Sequence, residues 1–151
     1  TLSLHDALPI FFEAVGPVKY TPLKQWIAHG EDSKYIVRRV KGELNAEQQQ
    51  KLAQTAKRYL GKPYDSSFSW SDDRQYCSEV VWKVYQNALG MRVGEQQKLK
   101  EFDLSNPLVQ AKLKERYGKN IPLEETVVSP QAVFDAPQLT TVAKEWPLFS
   151  W

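Results

Sequence analysis

Cys77, the only cysteine in the chain, is the residue best suited to nucleophilic chemistry. It begins an apolar stretch with helical spacing, which predicts a helix over 77–89 that ends at Gly90. Free N–H groups and the macrodipole at a helix start lower the pKa of a thiol and can stabilise an oxyanion. Position therefore makes Cys77 a candidate nucleophile, although a lone cysteine in a helical stretch is more often a small buried residue.

A thiol hydrolase also needs a general base, usually a histidine whose ring is oriented by a third side chain. The sequence offers His5 and His29 only. His29 precedes Gly30 at the predicted end of a short helix, where histidine is typically solvent-exposed and interacts with the helix dipole. Two histidines and one cysteine at these positions have no metal-ligand spacing, so we expect no metal site.

Four aromatic residues, Tyr64, Phe68, Trp70 and Tyr76, lie in or beside the polar loop that precedes Cys77. They could line a substrate cleft and bind an apolar or planar group. They could equally pack together as an aromatic core beneath the loop. The sequence leaves both interpretations open.

The first ten residues match the translation of a common sequencing adapter. We therefore expect residues 1–11 to be an artefactual leader and residues 12–151 to form one domain of ordinary size. An ordinary N-terminal strand is the alternative. The net charge of +2 is too small to favour nucleic acid as a partner, and we expect a monomer without a cofactor.

Hydrophobic periodicity and capping residues predict the remaining elements. We expect extended segments at 11–15 and 18–20, a helix at 22–28 capped by Thr21 and closed by Gly30 at positive φ, and a strand at 35–40. A helix should begin after Asn45, with Gln48 completing a capping box. Beyond Cys77 we expect a helix from Pro107 with Leu108, Val109 and Leu113 facing inward, a strand at 127–128 and a helix at 130–134.

Three segments carry a resemblance to a known family: Phe12-Glu13-Ala14-Val15, Gly61-Lys62-Pro63-Tyr64-Asp65 and Tyr76-Cys77-Ser78-Glu79-Val80-Val81. They resemble the YiiX/YaeF group of permuted papain-like cysteine hydrolases, which are related to the NlpC-type cell-wall peptidases. The resemblance extends from Phe12 to Trp151. It implies an α+β fold with a circularly permuted papain-like core, in which the nucleophile helix packs on an antiparallel sheet.

The same resemblance implies roles for two residues, with Cys77 as the nucleophile and Glu13 as the residue that orients the base. Family members carry their histidine in a Ser-His or Thr-His pair on an early strand, before this glutamate. No such pair occurs here, and His5 does not match the motif. We therefore expect the first strand or strands to be missing or replaced, and the chain to be inactive.

The resemblance predicts a thiol-dependent amide hydrolase, a peptidase or amidase, acting on a cell-wall peptide or an acyl amide. A non-catalytic module that binds a cell-wall or lipid-like ligand is the alternative. The resemblance also implies a periplasmic location for the parent protein, although no signal peptide is visible in the sequence.

Overall fold

The computed structural model describes residues 10–145 and the side chains of residues 11–143. His5 and most of the predicted leader lie outside the described residues, as does the end of the tail. The elements in chain order are β1 (Ile10–Ala14), β2 (Val18–Pro22), α1 (Leu23–His29), β3 (Tyr35–Val40), α2 (Ala46–Lys57), α3 (Cys77–Leu89), β4 (Gln97–Lys98), α4 (Pro107–Tyr117), β5 (Thr126–Val127), α5 (Pro130–Phe134) and β6 (Leu139–Glu145).

The described strands form three antiparallel pairs, β1 with β2, β3 with β6, and β4 with β5. In the first pair Glu13 lies opposite Lys19. The second pair joins the middle of the chain to its end, with Val40 opposite Leu139 and a register shift between Val37 and Arg38. Helices and antiparallel strands therefore share one chain, which confirms the predicted α+β class.

The core that positions α3 lies between the β1–β2 pair, α2 and α3. It consists of small and medium apolar side chains together with one tyrosine: Ala14, Val18, Ala56, Tyr59, Val80 and Val84. Val80 is fully buried. Because α3 contacts both β1 and α2 along this core, its first residue, Cys77, has a fixed place in the fold.

Several local predictions agree with the structure at the level of single residues. The helix at 77–89, the strand at 35–40 and the helix at 130–134 have the predicted bounds. Asn45 caps α2, since its side chain accepts a hydrogen bond from the Gln48 N–H at 2.8 Å and Gln48 Oε1 accepts one from the Asn45 N–H at 3.0 Å. These features depend on neighbours in sequence, which is why the sequence was enough to predict them.

The predicted start and end of α1 are wrong. Thr21 does not cap the helix, because it lies in β2 and its hydroxyl donates a hydrogen bond to Glu13 Oε1 at 2.6 Å. The N-cap is Pro22. Gly30 has an ordinary φ of −71° rather than a positive one. A Cβ at Gly30 would lie 3.2 Å from the Lys34 carbonyl oxygen, so close backbone approach accounts for the glycine.

The prediction for α4 is correct for its start and wrong for its apolar face. Asn106 caps the helix by accepting a hydrogen bond from the Leu108 N–H at 2.9 Å. However, the Leu108 side chain is 78% exposed and Val109 is also exposed, while Leu113 is half-buried. The apolar residues of α4 therefore line a surface groove instead of filling the core.

In the part of the chain that the structure describes, no helix is long and apolar enough to cross a membrane. The longest, α3, has 13 residues, whereas a spanning helix needs about 20.

A candidate thiol active site

The Cys77 side chain is exposed at the first position of α3. The preceding residue, Tyr76, is extended, with φ −102° and ψ 168°, so the chain turns into the helix at Cys77 itself. The first N–H groups of a helix have no partner within it, so those of the first turn of α3 are available to an anion that binds at the helix start. Cys77 is thus accessible and lies where negative charge is stabilised.

Glu79 closes the first turn of α3 from inside the protein. Its side chain is fully buried, and Oε2 accepts a hydrogen bond from the Tyr76 N–H at 3.1 Å. Oε1 accepts one from Lys83 Nζ at 2.8 Å. Burial raises the pKa of Glu79 to about 7, against the lowering effect of Lys83 and the Tyr76 N–H. The carboxyl group therefore bridges the residue before the nucleophile and a buried ammonium group.

Lys83 connects α3 to the loop that precedes it. Its side chain is only 7% exposed, and Nζ donates to the Ser71 carbonyl oxygen at 2.5 Å and to Asp72 Oδ1 at 2.9 Å. The ammonium also lies 4.8 Å from the centre of the Trp70 ring. One buried cation thus binds the loop and the helix together.

Asp65 anchors the beginning of the same loop. It is fully buried, and its two oxygens accept hydrogen bonds from the backbone and hydroxyl groups of Ser67 and Ser69, at 2.5–3.0 Å. Burial alone would raise the pKa of Asp65, but these four donors hold it below the usual value. Between the serines, Phe68 has a φ of +54°, a conformation that non-glycine residues adopt rarely and at a cost.

Tyr64 is one of the aromatic residues that the sequence predicts to contact a substrate. It is half-buried, and burial raises the pKa of its phenol. A thiolate at Cys77 raises that pKa further, whereas the Arg116 guanidinium lowers it. The phenol therefore stays protonated at neutral pH. Cys77 and Arg116 therefore both lie close enough to the Tyr64 phenol to affect its pKa.

Two more of the predicted substrate contacts, Tyr76 and Trp70, have packing partners. Tyr76 is 2% exposed, its ring meets the Phe68 ring edge-on at 5.3 Å, and its hydroxyl accepts a hydrogen bond from the Val128 N–H at 3.3 Å. Its burial does not favour the predicted substrate contact, which stays a prediction. Trp70 is half-buried, with its ring edge-on to Trp82 at 5.2 Å.

Glu13 lies in β1 between Phe12 and Ala14, which pack towards the core that contains Val80. Side chains alternate along a strand, so Glu13 lies on the opposite face, where it accepts the hydrogen bond from Thr21. Within residues 10–145, neither Glu13 nor His29 forms a hydrogen bond with Cys77; His29 is exposed at the end of α1. The orienting role of Glu13 stays a prediction.

A groove with a volume of about 350 Å³ lies along α4 and reaches the loop at Phe68. Its lining is mostly apolar and consists of Phe68, Leu99, Leu108, Val109, Lys112, Leu113, Arg116, Tyr117 and Val127. The Arg116 guanidinium lies 4.3 Å from the centre of the Phe68 ring, and the Tyr117 hydroxyl donates to the Ser67 carbonyl oxygen. The groove therefore adjoins the loop that carries Tyr64.

The sequence contained a partial signal for this groove. Leu108, Val109 and Leu113 were recognised as one apolar face, but a helical pattern does not say whether that face meets the core or a ligand. The pairing of Phe68 with Arg116, 48 residues later, depends on the fold and had no local signal.

Comparison with known proteins identifies the family. Residues 5–143 match the family described as permuted papain-like amidase enzymes, YaeF/YiiX, C92 family. The chain belongs to this C92 family. It is 88% identical over 150 residues to the YiiX protein of Escherichia coli strain K12, covering 99% of this chain and 74% of that protein. The predicted family and fold class are therefore confirmed.

A solved structure is also similar to this chain in sequence and in fold. The crystal structure described as metalloprotein yiiX from Escherichia coli O157:H7 is 93% identical, with a TM-score of 0.89. The match covers 92% of this chain and 77% of the solved chain. The permuted papain-like architecture and the course of the chain are thus shared with an experimentally solved C92 protein.

That description overturns our expectation that metal plays no part. The expectation rested on the sequence spacing of two histidines and one cysteine, whereas folding brings together ligands that are distant in sequence. Among residues 10–145 no group of three or more His, Cys, Asp and Glu side chains could hold a metal ion. The described residues of this C92 chain therefore do not fit a metal centre, and no chemical step here depends on one.

The buried Glu79 gives the free energy of unfolding a defined pH dependence. Because its pKa is about 7 in the folded state, against 4.5 ordinarily, the folded protein binds this proton more tightly than the unfolded chain. The stabilisation that this proton provides is present in full below about pH 4.5. As the pH rises through 7, the free energy of unfolding falls by up to about 3 kcal/mol. We expect Glu79→Gln to remove this fall.

The measurement is urea unfolding of the wild type and of Glu79→Gln between pH 4.5 and 8. The lower limit of the pH range avoids the protonation of Asp65. Because the pKa of Asp65 lies below the usual value for an aspartate, its carboxylate keeps its hydrogen bonds until the pH falls below that value. The difference in unfolding free energy between the two proteins should change with pH. A difference that is constant over this range contradicts the raised pKa of Glu79.

Proposed function

We propose that Cys77 is the nucleophile of a thiol-dependent amidase whose substrates carry an apolar acyl group. Membership of the C92 family supports amide hydrolysis, and the exposure of Cys77 at the start of α3 supports its role. The observation that supports the acyl specificity is the apolar groove along α4, whose lining includes Phe68 of the loop between Tyr64 and Cys77.

In the proposed reaction the Cys77 thiolate attacks the amide carbonyl carbon and forms a C–S bond. The oxyanion that results is stabilised by the free N–H groups at the start of α3. The C–N bond then breaks, and the proton taken from the thiol passes by way of a base to the leaving amine. Water hydrolyses the thioester, which releases a carboxylic acid and restores the thiol.

The chemistry of the groove favours an acyl amide over a cell-wall peptide. Six of its nine lining side chains are apolar: Phe68, Leu99, Leu108, Val109, Leu113 and Val127. A peptide backbone placed there would lose water without gaining hydrogen bonds, at a cost of about 1–3 kcal/mol for each unpaired group. An alkyl chain gains about 0.8 kcal/mol for each buried methylene.

The base is the part of the proposal that the described residues do not supply. Within residues 10–145 no histidine forms a hydrogen bond with Cys77, and the resemblance expects the base on a strand before Glu13. We therefore propose that this chain turns over amides very slowly. The same observation favours a second candidate, a non-catalytic module that binds an apolar ligand in the groove.

The groove should direct an alkyl reagent to Cys77. We expect N-hexyl iodoacetamide to alkylate Cys77 about 10-fold faster than iodoacetamide, because binding of about two methylenes contributes that factor. Leu108→Asp should remove most of this preference and leave the rate with iodoacetamide unchanged. The rates are measured by mass spectrometry of the intact protein.

Leu123→Asp is the matched control, since Leu123 is exposed and lies outside the groove. It should leave both rates unchanged. Equal rates for the two reagents with the wild type would show that the groove does not deliver ligands to Cys77, and would contradict the acyl specificity.

The proposed lack of a base for Cys77 within residues 10–145 can be tested by replacing residues 1–11 with the corresponding segment of the Escherichia coli K12 relative. We expect hydrolysis of a hexanoyl anilide to rise by about 10³-fold or more, because base and nucleophile act as a unit. Cys77→Ala in the replaced chain should abolish the gain. Rapid, Cys77-dependent hydrolysis by the original chain would contradict the proposal that it turns over amides very slowly.

A further inference from the structure

Lys83 is a buried cation that the proposed chemistry does not use. Its side chain is 7% exposed, and burial of an ammonium group is costly unless it is paired and hydrogen-bonded. All three of its donor hydrogens have acceptors, at Ser71, Asp72 and Glu79. Two of these acceptors belong to the loop and one to α3, so the cation holds two separate segments.

The contacts continue from Lys83 to the nucleophile. Glu79 uses one oxygen for Lys83 Nζ, at 2.8 Å, and the other for the Tyr76 N–H, at 3.1 Å. A rotation of this carboxylate would break one of the two bonds. The direction of the Gln75–Tyr76 peptide group, which lies one residue before Cys77, therefore depends on where Lys83 holds Glu79.

The loop end of this connection is fixed by a second buried side chain. The Ser71 carbonyl oxygen accepts hydrogen bonds from both Lys83 Nζ and Gln75 Nε2, the latter at 2.9 Å. Gln75 is fully buried, and its N–H donates to the Pro63 carbonyl oxygen at 3.0 Å, next to Tyr64. The same polar contacts thus extend from the start of α3 to the Pro63–Tyr64 segment.

We propose that Lys83 is a positioning residue for Cys77: by holding Glu79 against the Tyr76 N–H, it fixes the first turn of the nucleophile helix. This inference rests on the proposed function. Lys83 touches neither substrate nor thiol and acts through Glu79. Without it, the carboxyl group is buried without a countercharge, so it becomes protonated or turns away, and the N–H groups beside the thiol lose their fixed direction.

The test compares the iodoacetamide rate constant of Cys77 in three folded proteins at neutral pH. In Lys83→Met we expect the rate to fall about 10-fold, with a lower melting temperature. In the double variant Lys83→Met with Glu79→Gln no buried charge is left unpaired, so stability should recover towards the wild type. The rate should nevertheless stay low, because nothing holds the side chain of residue 79 in place.

Val84→Ala is the matched control, because Val84 is a buried residue of the same helix that contacts the core instead of the loop. It should lower the melting temperature and leave the rate unchanged. A Lys83→Met rate within twofold of the wild type overturns the inference, and so does a rate that recovers together with stability in the double variant.

The urea-unfolded chain supplies the reference rate for an unassisted thiol. A wild-type rate no higher than this reference contradicts the proposed nucleophile itself and, with it, the positioning role. An enhanced wild-type rate that persists in Lys83→Met contradicts the positioning role alone.

Discussion

The buried ion pair between Glu79 and Lys83 is the interaction on which the site depends. Each partner would be expensive to bury alone, and each has a second set of hydrogen bonds that makes the pair tolerable. Those second bonds lead to the Tyr76 N–H on one side and to the loop at Ser71 and Asp72 on the other. An ion pair at i and i+4 of one helix therefore determines how a loop, a helix start and a thiol are arranged.

Around that pair, one side of α3 and the preceding loop are packed, whereas the other side is exposed to solvent. The core side of α3 is fixed by contacts with β1 and α2, and the loop is fixed by the buried Asp65 and its two serines. Cys77 and the α4 groove, in contrast, face solvent. In the proposed reaction an alkyl chain binds in the groove first, and the amide is then positioned at Cys77 on its rigid helix.

Features of this fold that depend on near neighbours could be predicted from the sequence. The bounds of α3 follow from the spacing of its apolar residues and from Gly90, and the start of α2 follows from Asn45 and Gln48. The candidacy of Cys77 followed from its place at a helix start. The family followed from three short segments, of which Tyr76-Cys77-Ser78-Glu79 was the most specific.

Features that depend on distant contacts could not be predicted in this way. Glu79 and Lys83 have the spacing of an ordinary solvent-exposed pair, and nothing in the sequence shows that both are buried. Thr21 has the form of a helix cap but binds Glu13 across the β1–β2 pair. The exposed face of α4 has the same pattern as a buried one, and ligand spacing in sequence did not anticipate a relative described as a metalloprotein.

The most direct test of the central claim is the reaction of the chain with p-nitrophenyl hexanoate, whose good leaving group needs little help from a base. We predict a burst of nitrophenol close to one equivalent, with the hexanoyl group on Cys77 in peptide mapping by mass spectrometry. The absence of a burst, or a hexanoyl group on another residue, would contradict the assignment of Cys77 as an acyl-accepting nucleophile beside the groove.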